Sequence, residues 1–341
     1  PLAYILDSGY ADEKETAVQA TLGMKADLSK WVKGLSINVD FSFDFNNLYV
    51  KKYGKTSDMW EFHSDGSYKN FQTGSALGFS DDLSVYNSQY VFEPSLNYNN
   101  KFGDHEVSGL VLFNAQEYVK KGDALTRLPY RRLGVVGRAT YGYKGKYLGE
   151  VNIGYNGSEN FAPGNRYGFF PAVSGGWVLT QEEFLKDNPV VNFLKIRASY
   201  GIVGNDRYHP YGTGFMDRFL YLSNSYFIGS GYQFGTGTSW SPGAYEKSFG
   251  NSGLSWEKSA KQNYGIDFSL FNQKLSGSID YFYEKRTDIL AKASTDPIIH
   301  AMSLPVLNLG IVSNKGVELN LKWNHKINSF RYWTNLNVSY A

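Results

Sequence analysis

The chain has no cysteine, so no disulfide carries any of its stability. No run approaches eighteen apolar residues, which excludes a transmembrane helix. Formal net charge is only +2, with no basic stripe to displace counterions from phosphates, which excludes a nucleic-acid partner. The sequence opens Pro-Leu-Ala-Tyr, with neither an initiator methionine nor a basic-then-apolar export segment. Either processing has removed that segment or the chain is a fragment of a longer one. His63, His105, His209, His300 and His325 are scattered without the spacing of a metal site. Gly235-Thr236-Gly237 lacks the rest of a phosphate cradle, and no nucleophile elbow occurs. Asp206 and Asp217 offer no ladder of calcium ligands. The adjacent pairs Glu182-Glu183 and Asp81-Asp82 read as solvated loop residues. An enzyme, a bound metal and a cofactor are therefore not expected.

Aromatic residues are abundant instead, at 17% of the chain, with 27 tyrosines and 23 phenylalanines. Tyrosine suits a membrane interface, because its ring is apolar while its hydroxyl stays wet. The clearest pattern is NYGIDFSLF, a turn at Asn272-Gln273-Lys274, then LSGSIDYFYEKRTDIL. Tyr264, Ile266, Phe268 and Leu270 alternate with Asn263, Gly265, Asp267 and Ser269, the period of two that defines a strand. Leu35, Ile37, Val39, Phe41, Phe43 and Phe45 alternate with polar residues in the same way. Each such arm has one oily and one wet face. In a soluble sandwich the oily face is core; in a membrane barrel it meets lipid and the wet face lines a hydrated lumen.

About twelve arms of this kind run along the chain. Short connections are expected near Lys30, Asn99, Lys144, Thr180, Asn272 and Asn324, alternating strictly with long ones. Thr180 followed by Glu183 reads as a capping box opening a short helical turn. The alternation of short and long connections belongs to outer-membrane barrels, whose periplasmic turns are short and external loops long. The expected fold is all-β: a transmembrane antiparallel β-barrel. Both chain ends fall on the long-loop side, which a complete bacterial barrel does not allow. Hence a fragment is expected, with a small closed barrel as the alternative.

The stretches GYKGKYLGEVNIGYNGSENFAPGNRYGFFPAVSGGWVLTQEEF (142–184), LKIRASYGIVGN (194–205), SWEKSAKQNYGIDFSLFNQKLSGSIDYFYEKRTDIL (255–290) and LGIVSNKGVELNLKW (309–323) resemble the barrel of SusC/RagA-type TonB-dependent transporters of the Bacteroidetes. The resemblance implies about twelve strands of a 22-stranded barrel, with residues 1–341 forming a partial barrel domain. It also implies an N-terminal plug, energisation by TonB-ExbB-ExbD, a SusD-like surface lipoprotein as lid, and import of glycans or peptides. None of the plug, accessory domain or TonB box is in this sequence.

Candidate functional residues follow from the two faces and the loops. Ile37, Phe41, Ile266 and Phe268 are expected to face lipid, with outer-membrane lipid as a partner. Lys195 and Arg197 share a wet face, where they either pair with plug carboxylates or stay ordinary lumen charges. Tyr226, Phe227, Tyr232, Phe234, Trp240 and Tyr245 sit amid Gly and Ser in the longest irregular stretch. Such rings serve as rigid anchors for sugar or peptide, or pack on the loop itself or on the lipoprotein. Trp60, Phe62 and Tyr68 carry the same two readings. Gly168, Gly175 and Gly176 mark strand curvature or close approach of a second backbone. The competing function classes are a soluble or surface β-rich carbohydrate-binding module and a passive porin.

Overall fold

A computed structural model describes residues 8–121, 128–208, 218–222, 227–233, 235–236, 240–245, 250–292 and 304–341. The alternating arms form a 12-stranded sheet, in the order β1 (Gly9–Asp27), β2 (Leu35–Gly54), β5 (Gly78–Phe102), β6 (His105–Lys120), β7 (Tyr130–Tyr143), β8 (Tyr147–Ser158), β9 (Tyr167–Val178), β10 (Val191–Asn205), β13 (Glu257–Leu270), β14 (Leu275–Lys292), β15 (Val306–Ile327) and β16 (Phe330–Tyr340). Two small hairpins stand apart in the long connections: β3 (Met59–Phe62) with β4 (Tyr68–Gln72), and β11 (Phe227–Gln233) with β12 (Trp240–Tyr245). From β7 onward each neighbouring pair is antiparallel.

The chain divides into two compact units, Pro1–Gly23 with Asp40–Phe92 and Gln116–Arg131, and Met24–Val39 with Glu93–Ala115 and Arg132–Ala341. In the first, aromatic rings run along one face: Phe43 lies 5.0 Å from Tyr90, and Tyr10 stacks on Tyr53 at 4.7 Å. The opposite face is polar, with Asn46 donating to Glu15 at 3.1 Å.

In the second unit the register joins like faces. Ile266 pairs with Ile196 and Ile279, and Ile279 with Leu319, while Gly265 pairs with Arg197 and Asp280. A one-residue slip would turn every apolar side chain to the other face, so the pattern itself fixes the register. Buried apolar residues are few among the described ones: Val50, Phe161, Ala162, Phe170, Val178, Leu254, Trp256 and Leu290. Most large apolar side chains of the strands are exposed instead, Ile37, Phe41, Val151, Ile153, Val173, Ile196 and Ile266 among them.

Several boundaries differ from the sequence expectation. The central hairpin turns over Phe271–Lys274, with Phe271, Asn272 and Gln273 all at positive φ, so Phe271 belongs to the turn and not to the strand. Asn324 lies inside β15, which turns only at Asn328 and Ser329. The connection 179–190 is longer than the connection 159–166 at the opposite end, so connection lengths do not alternate strictly. The capping box does not form. A 3-10 turn, Leu179–Gln181, starts at Val178 without a side-chain cap, and Thr180 Oγ1 accepts from the Leu194 N–H at 3.3 Å.

Candidate functional site

On the wet faces of β10, β13 and β14 the central feature is Arg197. Its Nε lies 3.0 Å from Asp267 Oδ2, its Nη2 2.8 Å from Asp280 Oδ2, and its Nη1 3.0 Å from Asn263 Oδ1. The guanidinium fits because it lies over Gly265: a Cβ there would come 2.5 Å from Arg197 Cζ. Planar, forked donors suit two carboxylates better than a lysine ammonium would. Arg197 is thus satisfied within the strand wall. Lys195, its neighbour on the same face, has no hydrogen bond or ion pair among the described residues.

Beside this network a concave recess of about 610 Å³ opens on the polar faces of β5 to β10 and of β13, from Asn99 to Asn263. Gly142, Ser174, Gly176 and Ser199 leave its floor low, and Glu106, Glu150, Lys195 and Arg197 supply its charge. Glu150 is held by Arg138, with Nη2 at 2.7 Å and Nε at 3.0 Å. Gly168 and Gly176 have a reason the sequence did not show. Added Cβ atoms would strike the Phe170 ring at 2.3 Å and Lys195 Cε at 2.9 Å, so neighbouring side chains occupy the space. At Gly175 the nearest atom is an ordinary 3.9 Å away.

At the long-connection end, Phe161, Phe170, Leu254, Trp256 and Leu290 form a buried cluster. Trp256 lies 5.5 Å from Phe161 and donates its indole N–H to Arg166 O at 2.9 Å. Beside it Asp206, 7% exposed, accepts from Arg132 Nη2 at 2.7 Å and from Ser158 Oγ at 2.7 Å, and its carbonyl accepts from Asn160 at 3.0 Å. Asp206, a calcium candidate by residue type alone, is thus taken by an arginine. Asp217 lies outside the described residues.

At the short-connection end, rings stack from strand to strand: Tyr143 on Tyr147 at 6.5 Å, and Tyr147 on Trp177 at 6.3 Å. Glu182 holds this row, accepting from Tyr147 Oη at 2.7 Å, Lys146 Nζ at 3.0 Å and Trp177 Nε1 at 3.1 Å. Those three donors, Tyr147 first, lower its pKa from the ordinary 4.5 to about 2. The reading of Glu182 as a solvated loop residue is corrected; its side chain is 16% exposed.

Of the loop aromatics, Tyr232 and Trp240 are exposed. Tyr232 pairs with Ser241 and Trp240 with Gln233, one rung apart, so the two rings lie on opposite faces of the β11–β12 hairpin. Tyr226 and Phe234 lie outside the described residues, as do the side chains of Phe227 and Tyr245. Trp60, Phe62 and Tyr68 share one exposed face of the β3–β4 hairpin. Ile37, Phe41 and Ile266 are exposed and Phe268 is half-buried.

A large antiparallel sheet with an exposed apolar face, a charge-paired polar face and a row of rings at one end has the pattern of a β-barrel wall. Residues 4–341 match the TonB dependent receptor-like β-barrel family, and the chain belongs to it. The TonB-dependent receptor P39 of Formosa agariphila is 29% identical over 339 residues, 91% of this chain and 30% of that protein. The TonB-dependent receptor SusC of Bacteroides thetaiotaomicron is 27% identical over 296 residues, 86% of this chain and 28% of that protein. Among solved structures, the RagAB peptide transporter matches with a TM-score of 0.72 at 20% identity, covering 97% of this chain and 37% of its own. The chain therefore spans about three-tenths of the length of these curated relatives. TonB-dependent receptors are transporters and not enzymes.

Proposed function

We propose that this chain forms part of the barrel wall of an outer-membrane TonB-dependent importer for oligosaccharides or peptides. A SusD-like lipoprotein covers its outer opening, and TonB-ExbB-ExbD drives it through a plug. The observation that carries this reading is the exposure of the alternating apolar face along strands whose other face is ion-paired. Exposed apolar rows of this extent need an apolar solvent. Ile37, Phe41, Ile266 and Phe268 then contact acyl chains, and Lys195 and Arg197 face the hydrated lumen. The similar solved structure is that of a peptide transporter, and the similar SusC is a TonB-dependent receptor. Tyr232 and Trp240 are assigned to substrate contact at the external end, on their exposure.

Ile266→Arg tests the lipid-facing assignment. It should cost about 2–4 kcal/mol if the position lies near the bilayer midplane, whereas Ser199→Arg on the wet face should cost less than about 1 kcal/mol. Equal costs by denaturant unfolding in lipid, or extraction of the protein into detergent-free buffer, reject the membrane wall. Growth of a strain deleted for the gene, on defined glycans against defined peptides as sole source, then assigns the substrate class.

A further inference from the structure

The connection between β1 and β2, Leu28-Ser29-Lys30-Trp31-Val32-Lys33-Gly34, is tied by its own backbone. Trp31 and Val32 donate N–H to Leu28 O at 2.9 and 3.1 Å, Leu35 donates to Val32 O at 3.0 Å, and Leu28 donates to Leu35 O at 2.9 Å. The base is fixed to β5, where the Asn99 N–H donates to Gly34 O at 2.8 Å. Only glycine serves at position 34, because φ is 85° and a Cβ would meet Asn99 O at 1.9 Å. A connection so constrained could have hidden its ring against the strands. It instead presents Trp31 81% exposed and leaves Val32 exposed beside it.

Lys30 and Lys33 flank this ring, and neither has a hydrogen bond or ion pair among the described residues. The nearby carboxylate of Asp27 forms no ion pair with either lysine; its Oδ1 accepts from the Ser29 N–H at 2.8 Å. The ring also continues a surface. Met24 on β1 and Ile37 on β2 are exposed apolar residues on either side of the turn. An indole between two free ammonium groups, at the end of an exposed apolar strip, has the chemistry of the zone where acyl chains give way to phosphates. Two other short connections also set a lysine near an aromatic ring, Lys144 Nζ over Tyr143 at 5.4 Å and Lys274 three residues after the exposed Phe271. Lys144 is paired there with Asp104 at 3.4 Å, which leaves the β1–β2 turn the one of the three with an indole between two lysines unpaired among the described residues.

We infer that the β1–β2 turn is an anchor for anionic phospholipid headgroups, Trp31 entering the interface and Lys30 and Lys33 binding lipid phosphates. The inference rests on the membrane-wall reading above and adds a lipid-binding site to it. The absence of cysteine makes single-site labelling direct. The protein is reconstituted into vesicles of phosphatidylcholine with or without phosphatidylglycerol, carrying an environment-sensitive dye at Val32→Cys or, as a control, at Ile266→Cys. Quenchers are placed at headgroup level or deep in the acyl region.

The dye at position 32 should be quenched from headgroup level, more strongly with phosphatidylglycerol. Each of Lys30→Gln and Lys33→Gln should lower the seated population about fivefold in anionic vesicles, from roughly 1 kcal/mol per lysine near an anionic surface. Quenching at position 32 that ignores both lysines and lipid charge, or is absent while position 266 is quenched from the acyl region, overturns the anchor and leaves the barrel wall standing. Lack of quenching at position 266 overturns the membrane wall itself.

Discussion

Arg197 on β10 reaches across β13 to place Nη2 2.8 Å from Asp280 on β14, so one side chain ties three strands. Its side chain is 32% exposed and that of Asp280 10%, which makes the pair partly shielded from water. Hydrogen bonds to charged groups contribute about 1.5–3 kcal/mol, and exposed pairs much less.

Arg197→Ala should therefore destabilise the sheet by about 2 kcal/mol, because Asp267 and Asp280 lose their shared donor. Gly265→Ala should produce a similar loss without touching a charge, since its methyl would occupy the space of the guanidinium carbon. The two substitutions should be strongly non-additive, with a coupling of about 1 kcal/mol or more by denaturant unfolding. Simple additivity would show that Gly265 matters for some reason other than seating Arg197.

Much of this arrangement was legible in the sequence. Alternation of the kind seen in LSINVDFSFDF and NYGIDFSLF recurs in about twelve arms, the number in the sheet, and in LKIRASYGIVGN it sets Arg197 on the face opposite Leu194 and Ile196. What alternation cannot give is distance across strands: Asp267 and Asp280 are remote in sequence, and the space over Gly265 exists only once the register is set. Ends were misplaced where the pattern breaks for a local reason. The register shifts between Arg286 and Leu290 around Asp288, whose φ is 59°, so β14 continues to Lys292 past its apparent end. The first part of β1 carries Asp12, Glu13, Lys14 and Glu15, residue types depleted in strands, so alternation does not mark where that strand begins. Nothing in residue type pointed to Arg132 and Asp206 meeting.

That second pair yields its own expectation. Asp206→Ala removes the acceptor for Arg132 and Ser158 at the base of three connections and leaves an arginine beside a buried aromatic cluster. Arg132 is 35% exposed, so the cost belongs at the low end for a broken buried pair, about 3 kcal/mol. Hydrogen exchange should quicken in residues 159–166 and 250–256 while β14 and β15 stay protected near their turn. Unchanged exchange in those connections would mean that the Phe161–Trp256 packing holds them alone.

The Glu182 clamp gives a pH dependence with a definite sign. Its carboxyl titrates near 2 in the folded chain against an ordinary 4.5, so ionisation favours the folded contacts. The contribution is complete above about pH 4.5 and declines as pH falls toward 2. The indole N–H signal of Trp177 should accordingly hold its position from pH 7 to 5 and move between 4.5 and 2. In Glu182→Gln that movement should vanish, and the Tyr147 hydroxyl and Trp177 indole protons should exchange faster with solvent because an amide oxygen is a weaker acceptor than a carboxylate. A Trp177 signal that moves with a midpoint near 4.5 in the unsubstituted protein would show that the three donors do not act together on one ionised group.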